Sequence, residues 1–141
     1  AMLFAIIISA IALLLSVALH LFNISVVADK FVGKLSKVWT KTQAVVFIAI
    51  CSQLLLAVIF ALAYATGLTL ELGGFKQPAA AVDIFYFSLT TITTLGLGSI
   101  EPTGHLRMLA GVESATGFLL ISCSASKVFM TMSGTCEKPA T

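Results

Sequence analysis

The sequence predicts an all-α integral membrane protein: three helices that cross the bilayer, with a shorter re-entrant helix and loop inserted before the third. Three observations predict it. Of 141 residues, 59% are hydrophobic and only 10% charged, against roughly 25% charged in a soluble domain, and mean hydropathy is +1.09. Three stretches reach the roughly 20 residues that a bilayer demands, and a fourth falls short of it. Disorder and a disulfide-rich secreted scaffold are excluded by the same composition. The net charge of +2 is too small for a nucleic-acid partner. The three cysteines, Cys51, Cys123 and Cys136, have no metal-ligand spacing and imply neither a zinc site nor a disulfide.

The first element, 1–23, is an almost unbroken apolar run from Met2 to Phe22. It has no basic leader and too long an apolar stretch for a cleaved signal, so it reads as a transmembrane helix. His20 stands at its end and is expected to be a hydrogen-bonded helix-end residue rather than a proton sensor.

Residues 24–42 read as a basic amphipathic linker. Lys30, Lys34, Lys37 and Lys41 are spaced 4, 3 and 4 apart, which places them on one face of a helix. Val27, Phe31, Leu35 and Val38 form a second face beside Trp39. The pattern predicts a helix lying in the membrane interface, its lysines toward anionic lipid headgroups, with a solvated charged loop as the alternative. The positive-inside rule puts this linker in the cytoplasm, with the N-terminus outside and the C-terminus inside.

The second span is 43–68, followed by an extracellular segment, 69–82. Residues 83–94 are apolar but too short to cross, in the range of a re-entrant helix, with Asp83 as the expected N-cap. The loop that follows has glycine at alternate positions, Gly96 and Gly98. Glycine permits backbone angles closed to other residues, so successive carbonyls can point to one side and replace the hydration shell of a cation.

The third span, 106–132, carries Glu113, Ser114, Thr116, Ser122, Ser124, Ser126 and Lys127. Such a helix faces protein or water rather than lipid. Glu113 is expected to be paired, protonated or hydrogen-bonded, and Lys127 to snorkel toward water. Residues 133–141 read as a short cytoplasmic tail.

Thr93-Thr94-Leu95-Gly96-Leu97-Gly98-Ser99, then Glu101-Pro102, set at the end of a half-helix between two spans, resembles the pore loop of the two-transmembrane, one-pore-loop potassium channels of bacterial type. The family filter reads Thr-Val-Gly-Tyr-Gly, and Thr94-Leu95-Gly96-Leu97-Gly98 matches it in register. The resemblance runs from residue 43 to 131 and leaves the first span outside.

It implies a pore domain over 43–132, in which 43–68 is the outer helix, 69–82 the turret, 83–94 the pore helix, 94–98 the filter and 106–132 the inner helix. It implies potassium ions held at Thr94, Leu95, Gly96 and Leu97, and no other cofactor. One loop supplies one wall, so four copies form a homotetramer. Thr90, Thr93, Ser99, Tyr86, Phe87 and Glu113 would support the filter. Gly117 matches the inner-helix hinge, which competes with a helix-packing role. Phe118, Ile121, Ala125 and Phe129 would line the cavity, Phe129 either as a constriction or in ordinary helix packing.

The chain departs from the family at Leu97, where tyrosine is usual, at Ser99, where aspartate is usual, and at Thr90, often glutamate. The carboxylate pair that braces many filters is missing, while Tyr86 and Phe87 keep the aromatic-cuff positions. Glu101 is expected either to form a ring of four carboxylates at the outer mouth, gathering cations, or to hold the turn before Pro102. The implied function is a passive channel for monovalent cations, with potassium favoured, in the bacterial inner membrane; nothing in the motifs suggests an enzyme. Two alternatives stay open: a poorly selective cation channel, and a non-conducting membrane scaffold or auxiliary subunit with a pore-like fold.

Overall fold

The computed structural model of the chain describes residues 2–134; the expected tail beyond Gly134, with Cys136 and Lys138, lies outside the described residues. The elements are α1 (Met2–Phe22), a π-helical turn (Asn23–Val27), α2 (Ala28–Val32), α3 (Val38–Thr69), α4 (Ala81–Ile92) and α5 (Leu106–Met132). Three continuous helices, Met2–Val32, Val38–Thr69 and Leu106–Met132, are long and apolar enough to cross a membrane, and α4 is a shorter apolar helix. The bounds of α5 coincide with the expected third span. Among the described residues the β-structure is a single bridge, Phe75 to Pro102.

α3 is the hub. Its Leu56, Ala57, Phe60 and Tyr64 form one buried cluster with Ile84 and Ile92 of α4 and Leu106, Leu109 and Leu120 of α5. On the far side α1 joins both long helices through a narrow seam: its buried residues are Ala5, Ser9, Ala12, Ser16 and His20. Small residues at this spacing let helix backbones approach closely in lipid, where packing rather than the hydrophobic effect drives association. Most leucines and isoleucines of α1 are left outward, with Leu3, Leu14 and Leu15 more than half exposed, while Ile8 and Leu19 pack partly against the core.

The first helix does not end at residue 23 as expected. The chain meets neither Gly nor Pro before Gly33, so the helix continues through the π turn into α2. That turn keeps the seam in line. Buried positions continue at Ile24 and Ala28, four residues apart, and each such step drifts about 40° around an α-helix. A π turn takes in one extra residue, and so returns about 100° of that drift.

The linker likewise differs from the expected single amphipathic helix. The helix closes at Gly33, whose N–H donates to the Asp29 carbonyl at 2.9 Å, and α3 starts at Val38, five residues before the expected 43. Lys30 therefore belongs to α2, Lys34 to the elbow, Lys37 to the extended residue ahead of α3, and Lys41 to α3. The four lysines share an end of the molecule but not a helix face, because the chain leaves the helix after Gly33 and resumes it only at Val38. Lys127 does not simply reach for water: its ammonium pairs with Asp29 of α2.

α4 also starts and stops two residues early. Asp83 is not its N-cap but its third residue, and its carboxylate reaches back to accept the Ala80 N–H at 2.9 Å, the return half of a capping box.

Candidate functional site

The loop after α4 has an exposed stretch, residues 94–99, hung between two anchored ends. At its near end the Thr93 and Thr94 N–H groups donate to Leu89 and Thr91 carbonyls at 3.2 and 3.0 Å, which closes α4. The Gly96 N–H then reaches back to the Thr90 carbonyl at 3.0 Å. At the far end Ile100 is buried, and the strand beyond it is stitched to the turret. The Lys76 N–H donates to the Glu101 carbonyl at 2.9 Å, the Glu101 N–H to Gln77 Oε1 at 3.0 Å, and the Thr103 N–H to the Gly74 carbonyl at 2.7 Å.

Within the loop two residues take left-handed backbone, Thr94 at φ 58° and Gly96 at φ 69°. For glycine this costs little. For a β-branched threonine it stores strain of order 1–3 kcal/mol, held by the tethers on either side. The expected alternation of special angles at Gly96 and Gly98 is not what the chain adopts. Gly98 lacks a positive φ; its need is steric, since a Cβ there would sit 3.2 Å from Phe87 Cδ2.

Phe87 belongs to an aromatic trio behind the loop, with ring centroids 5.5 Å from Tyr64 and 5.7 Å from Phe75, both edge-on. Edge-to-face rings at this spacing add specific attraction to their buried area. The trio joins α3, the turret and α4 at one point. Tyr86 is half exposed on this chain and takes no part in it. The Thr90 and Thr93 hydroxyls turn back onto their own helix, to the Phe87 carbonyl at 3.0 Å and the Leu89 carbonyl at 2.7 Å. What ties Thr90 to the loop is its main-chain carbonyl. Ser99 is exposed.

Glu113 of α5 is fully buried. The Tyr64 hydroxyl donates to its Oε2 at 2.6 Å, and Ser88 of α4 meets its Oε1. Ser88 Oγ also lies 2.8 Å from the Ala57 carbonyl, so one hydroxyl proton faces two acceptors. A proton on Glu113 Oε1, donated to Ser88, gives every group a partner and leaves no bare charge in lipid. Glu113 thus joins three helices. Its partners were not found from the sequence, because serine and tyrosine inside apolar runs carry no spacing signal.

One turn on, α5 presses against the end of α4. A Cβ on Gly117 would lie 1.7 Å from the Ile92 carbonyl oxygen, so glycine is required there by contact alone. Beyond it Phe118, Ile121, Ala125 and Phe129 are all exposed on this chain, whereas Leu120 and Ser124 are buried. The four therefore share an unpartnered face of α5.

At the loop's outer side Glu101 is paired with the Lys76 ammonium, and this hydrogen bond with its charge holds the carboxyl below the ordinary range. Within the chain Glu101 thus carries its own cation, and its backbone bonds to Gln77 and Lys76 hold the turn before Pro102.

His20 is not at a helix end. It is buried within the continuous first helix, with Nδ1 2.8 Å from Ser52 Oγ of α3 and Nε2 3.1 Å from the Leu120 carbonyl and 2.9 Å from Ser124 Oγ of α5.

A comparison with known proteins matches a family model described as Ion channel to residues 48–133. That interval holds α3 from Ile48 onward, the turret, α4, the loop and α5, and leaves the first helix outside. No curated protein and no solved structure matches the chain. The match spans more than half of the chain, over the same helix, half-helix, loop and helix that carry the geometry above, and with three helices fit to cross a bilayer the chain belongs to the ion channel family as an integral membrane protein.

Proposed function

We propose that the chain forms a homotetrameric channel that passes monovalent cations, with potassium favoured, down their gradient. The observation that carries this reading is the exposed 94–99 loop, strapped at both ends and left without intrachain cover. A segment at membrane depth without helical hydrogen bonding is tolerated where it lines a water-filled path. Four copies around an axis would bring four loops together, the Thr94 hydroxyl and the carbonyls of Thr94, Leu95, Gly96 and Leu97 supplying oxygens in place of hydration water. α4 ends at the base of the loop, and its partially negative C-terminus favours a cation below it.

Support for the loop comes from the chain's own interior rather than from a carboxylate pair at the filter. The Phe87 ring, the Thr90 carbonyl and the Glu113–Ser88 contact fix α4, and α4 fixes the loop. The unpartnered α5 face of Phe118, Ile121, Ala125 and Phe129 would line the cavity, Phe129 at its narrow end. Lys30, Lys34, Lys37 and Lys41 would lie at the cytoplasmic surface against anionic headgroups, in a bacterial inner membrane with the N-terminus outside.

Purified protein in liposomes tests the reading. Fast potassium flux exceeding sodium flux is expected, from a particle of about four times the 14.8 kDa chain mass by light scattering. Equal fluxes would favour the poorly selective channel, for which Leu97 in place of a hydroxyl-bearing residue is the specific reason. Absence of flux would leave a scaffold.

A further inference from the structure

The first helix lies outside the matched channel region, yet it makes a buried polar contact with both other long helices through His20. The Leu120 carbonyl and Ser124 Oγ both sit at His20 Nε2, and a carbonyl only accepts, so Nε2 carries the proton. Nδ1 then accepts from the Ser52 hydroxyl, and Asn23 Nδ2 donates to Ser52 Oγ at 3.2 Å. One imidazole in its neutral form thus joins three helices, meeting groups on α3 and α5 from the first. Leu120 and Ser124 lie three and seven residues beyond Gly117, on the side of α5 opposite its unpartnered face.

A second grip follows further along. Asp29 of α2 pairs with Lys127 of α5. In an uninterrupted α-helix His20 and Asp29, nine residues apart, would point in opposite directions at about 100° per residue. The π turn between them, Asn23–Val27, takes one residue's rotation out and brings both onto the side that faces α5.

We propose that the first helix is a clamp on the inner helix, and that His20 is a positioning residue that sets how often the pore is open. The clamp rests on the channel reading above. Because α1 lies on the face of α5 opposite the one assigned to the cavity, His20 holds the segment after Gly117 away from the pore axis. Inward movement of that segment separates Nε2 from Leu120 and Ser124 and leaves the imidazole donor without a partner in lipid, while the Leu120 carbonyl keeps the Ser124 hydroxyl of its own helix. The clamp therefore favours the open arrangement. Nothing in it touches the 94–99 loop, so conductance and ion preference are set elsewhere.

Single-channel recording in planar bilayers tests this. His20→Ala is expected to lower open probability about tenfold, the scale of a lost buried hydrogen bond, with unitary conductance and the potassium-to-sodium permeability ratio unchanged. His20→Gln, which keeps a donor near the Nε2 position, should restore most of the loss. Unchanged open probability, or a loss only in the number of active channels, would overturn the clamp. A second measurement is independent of current: spin-label distances across the tetramer from Met132→Cys, with Cys51, Cys123 and Cys136 replaced by serine. His20→Ala should shorten them by about 2 Å or more, the scale of helix shifts in switching proteins; an unchanged distribution overturns the clamp. Absence of wild-type current would instead count against the channel reading, while the distances would still judge the clamp.

Discussion

At Gly117, α5 meets the end of α4 backbone to backbone; three residues later, at Leu120, it meets α1 through an imidazole. The first contact leaves no room for a methyl group beside the Ile92 carbonyl, and interlocked surfaces of that kind have one good arrangement. The second is a set of hydrogen bonds among His20, Ser52, Ser124 and Leu120, whose partners can separate and rejoin. One helix thus carries a fixed joint beside the loop and a releasable one beyond it. Ion coordination demands sub-ångström constancy, whereas opening and closing demands two states of similar free energy. On the proposed channel reading, the chain would supply the two demands with different chemistry within a single turn of helix.

The largest way to break this contrast is Gly117→Ala. With a Cβ forced to within 1.7 Å of the Ile92 oxygen, the helices must part, and overpacking of this kind costs about 1–3 kcal/mol or more. Thermal unfolding in detergent should show a clear loss of stability, and the tetramer should form poorly. Wild-type unfolding would mean that α4 and α5 already separate easily, and the joint would not be fixed.

A middle-sized effect is expected at Glu113. If its carboxyl is neutral, Glu113→Gln keeps an acceptor for Tyr64 and a donor for Ser88, and stability should stay within about 1 kcal/mol of wild type. Glu113→Leu strands the Tyr64 hydroxyl, while Ser88 keeps the Ala57 carbonyl, and should cost about 1–2 kcal/mol, as one buried polar group left unpaired. Denaturant unfolding of the two variants separates the cases: equal losses would mean that the carboxyl is charged and the proton count above is wrong.

The smallest effect is at the rim. Glu101 and Lys76 are both 60% exposed, and exposed pairs contribute little. The depressed carboxyl means that the pair is intact at neutral pH and is lost only as pH falls through that lowered value. Replacing both partners, Glu101→Gln with Lys76→Gln, removes the pair without leaving a bare charge and should therefore change inward conductance by the same modest proportion at about 0.01 M and 1 M salt. A loss confined to low salt would restore a steering role for the carboxylates.

The parts of this design that repeat in sequence were legible before the fold was known. Three apolar runs marked the spans, the bounds of the third were met at both ends, and the order of half-helix, glycine loop and helix is the one observed. Contacts made by single residues were not. The spacing of Lys30, Lys34, Lys37 and Lys41 looked helical because periodicity takes no account of one Gly33. Ala5, Ser9, Ala12, Ser16 and His20 do repeat at helical spacing, but small residues in an apolar run stand out little against the larger ones that face outward. Ser52, Ser88 and Tyr64 acquire meaning only from the residues opposite them, 25 to 49 positions away for the pairs with Glu113. Whether Gly117 served packing or bending could not be read from its neighbours in sequence, because the atom that excludes a side chain there belongs to another helix.

The two nitrogens of His20 also meet their partners at different times in the life of the chain. During synthesis α1 and α3 emerge first, joined by a short elbow, and the Ser52 hydroxyl is at hand for Nδ1 as soon as the two helices pair. Nε2 has its partners only on α5, which emerges some seventy residues later. Until then the half-made protein carries an unmet donor between two helices in the bilayer, where such a group is costly. The last helix therefore arrives at a waiting hydrogen-bond donor, and the order in which the ribosome delivers the segments gives α5 a reason to enter on that side of the hairpin.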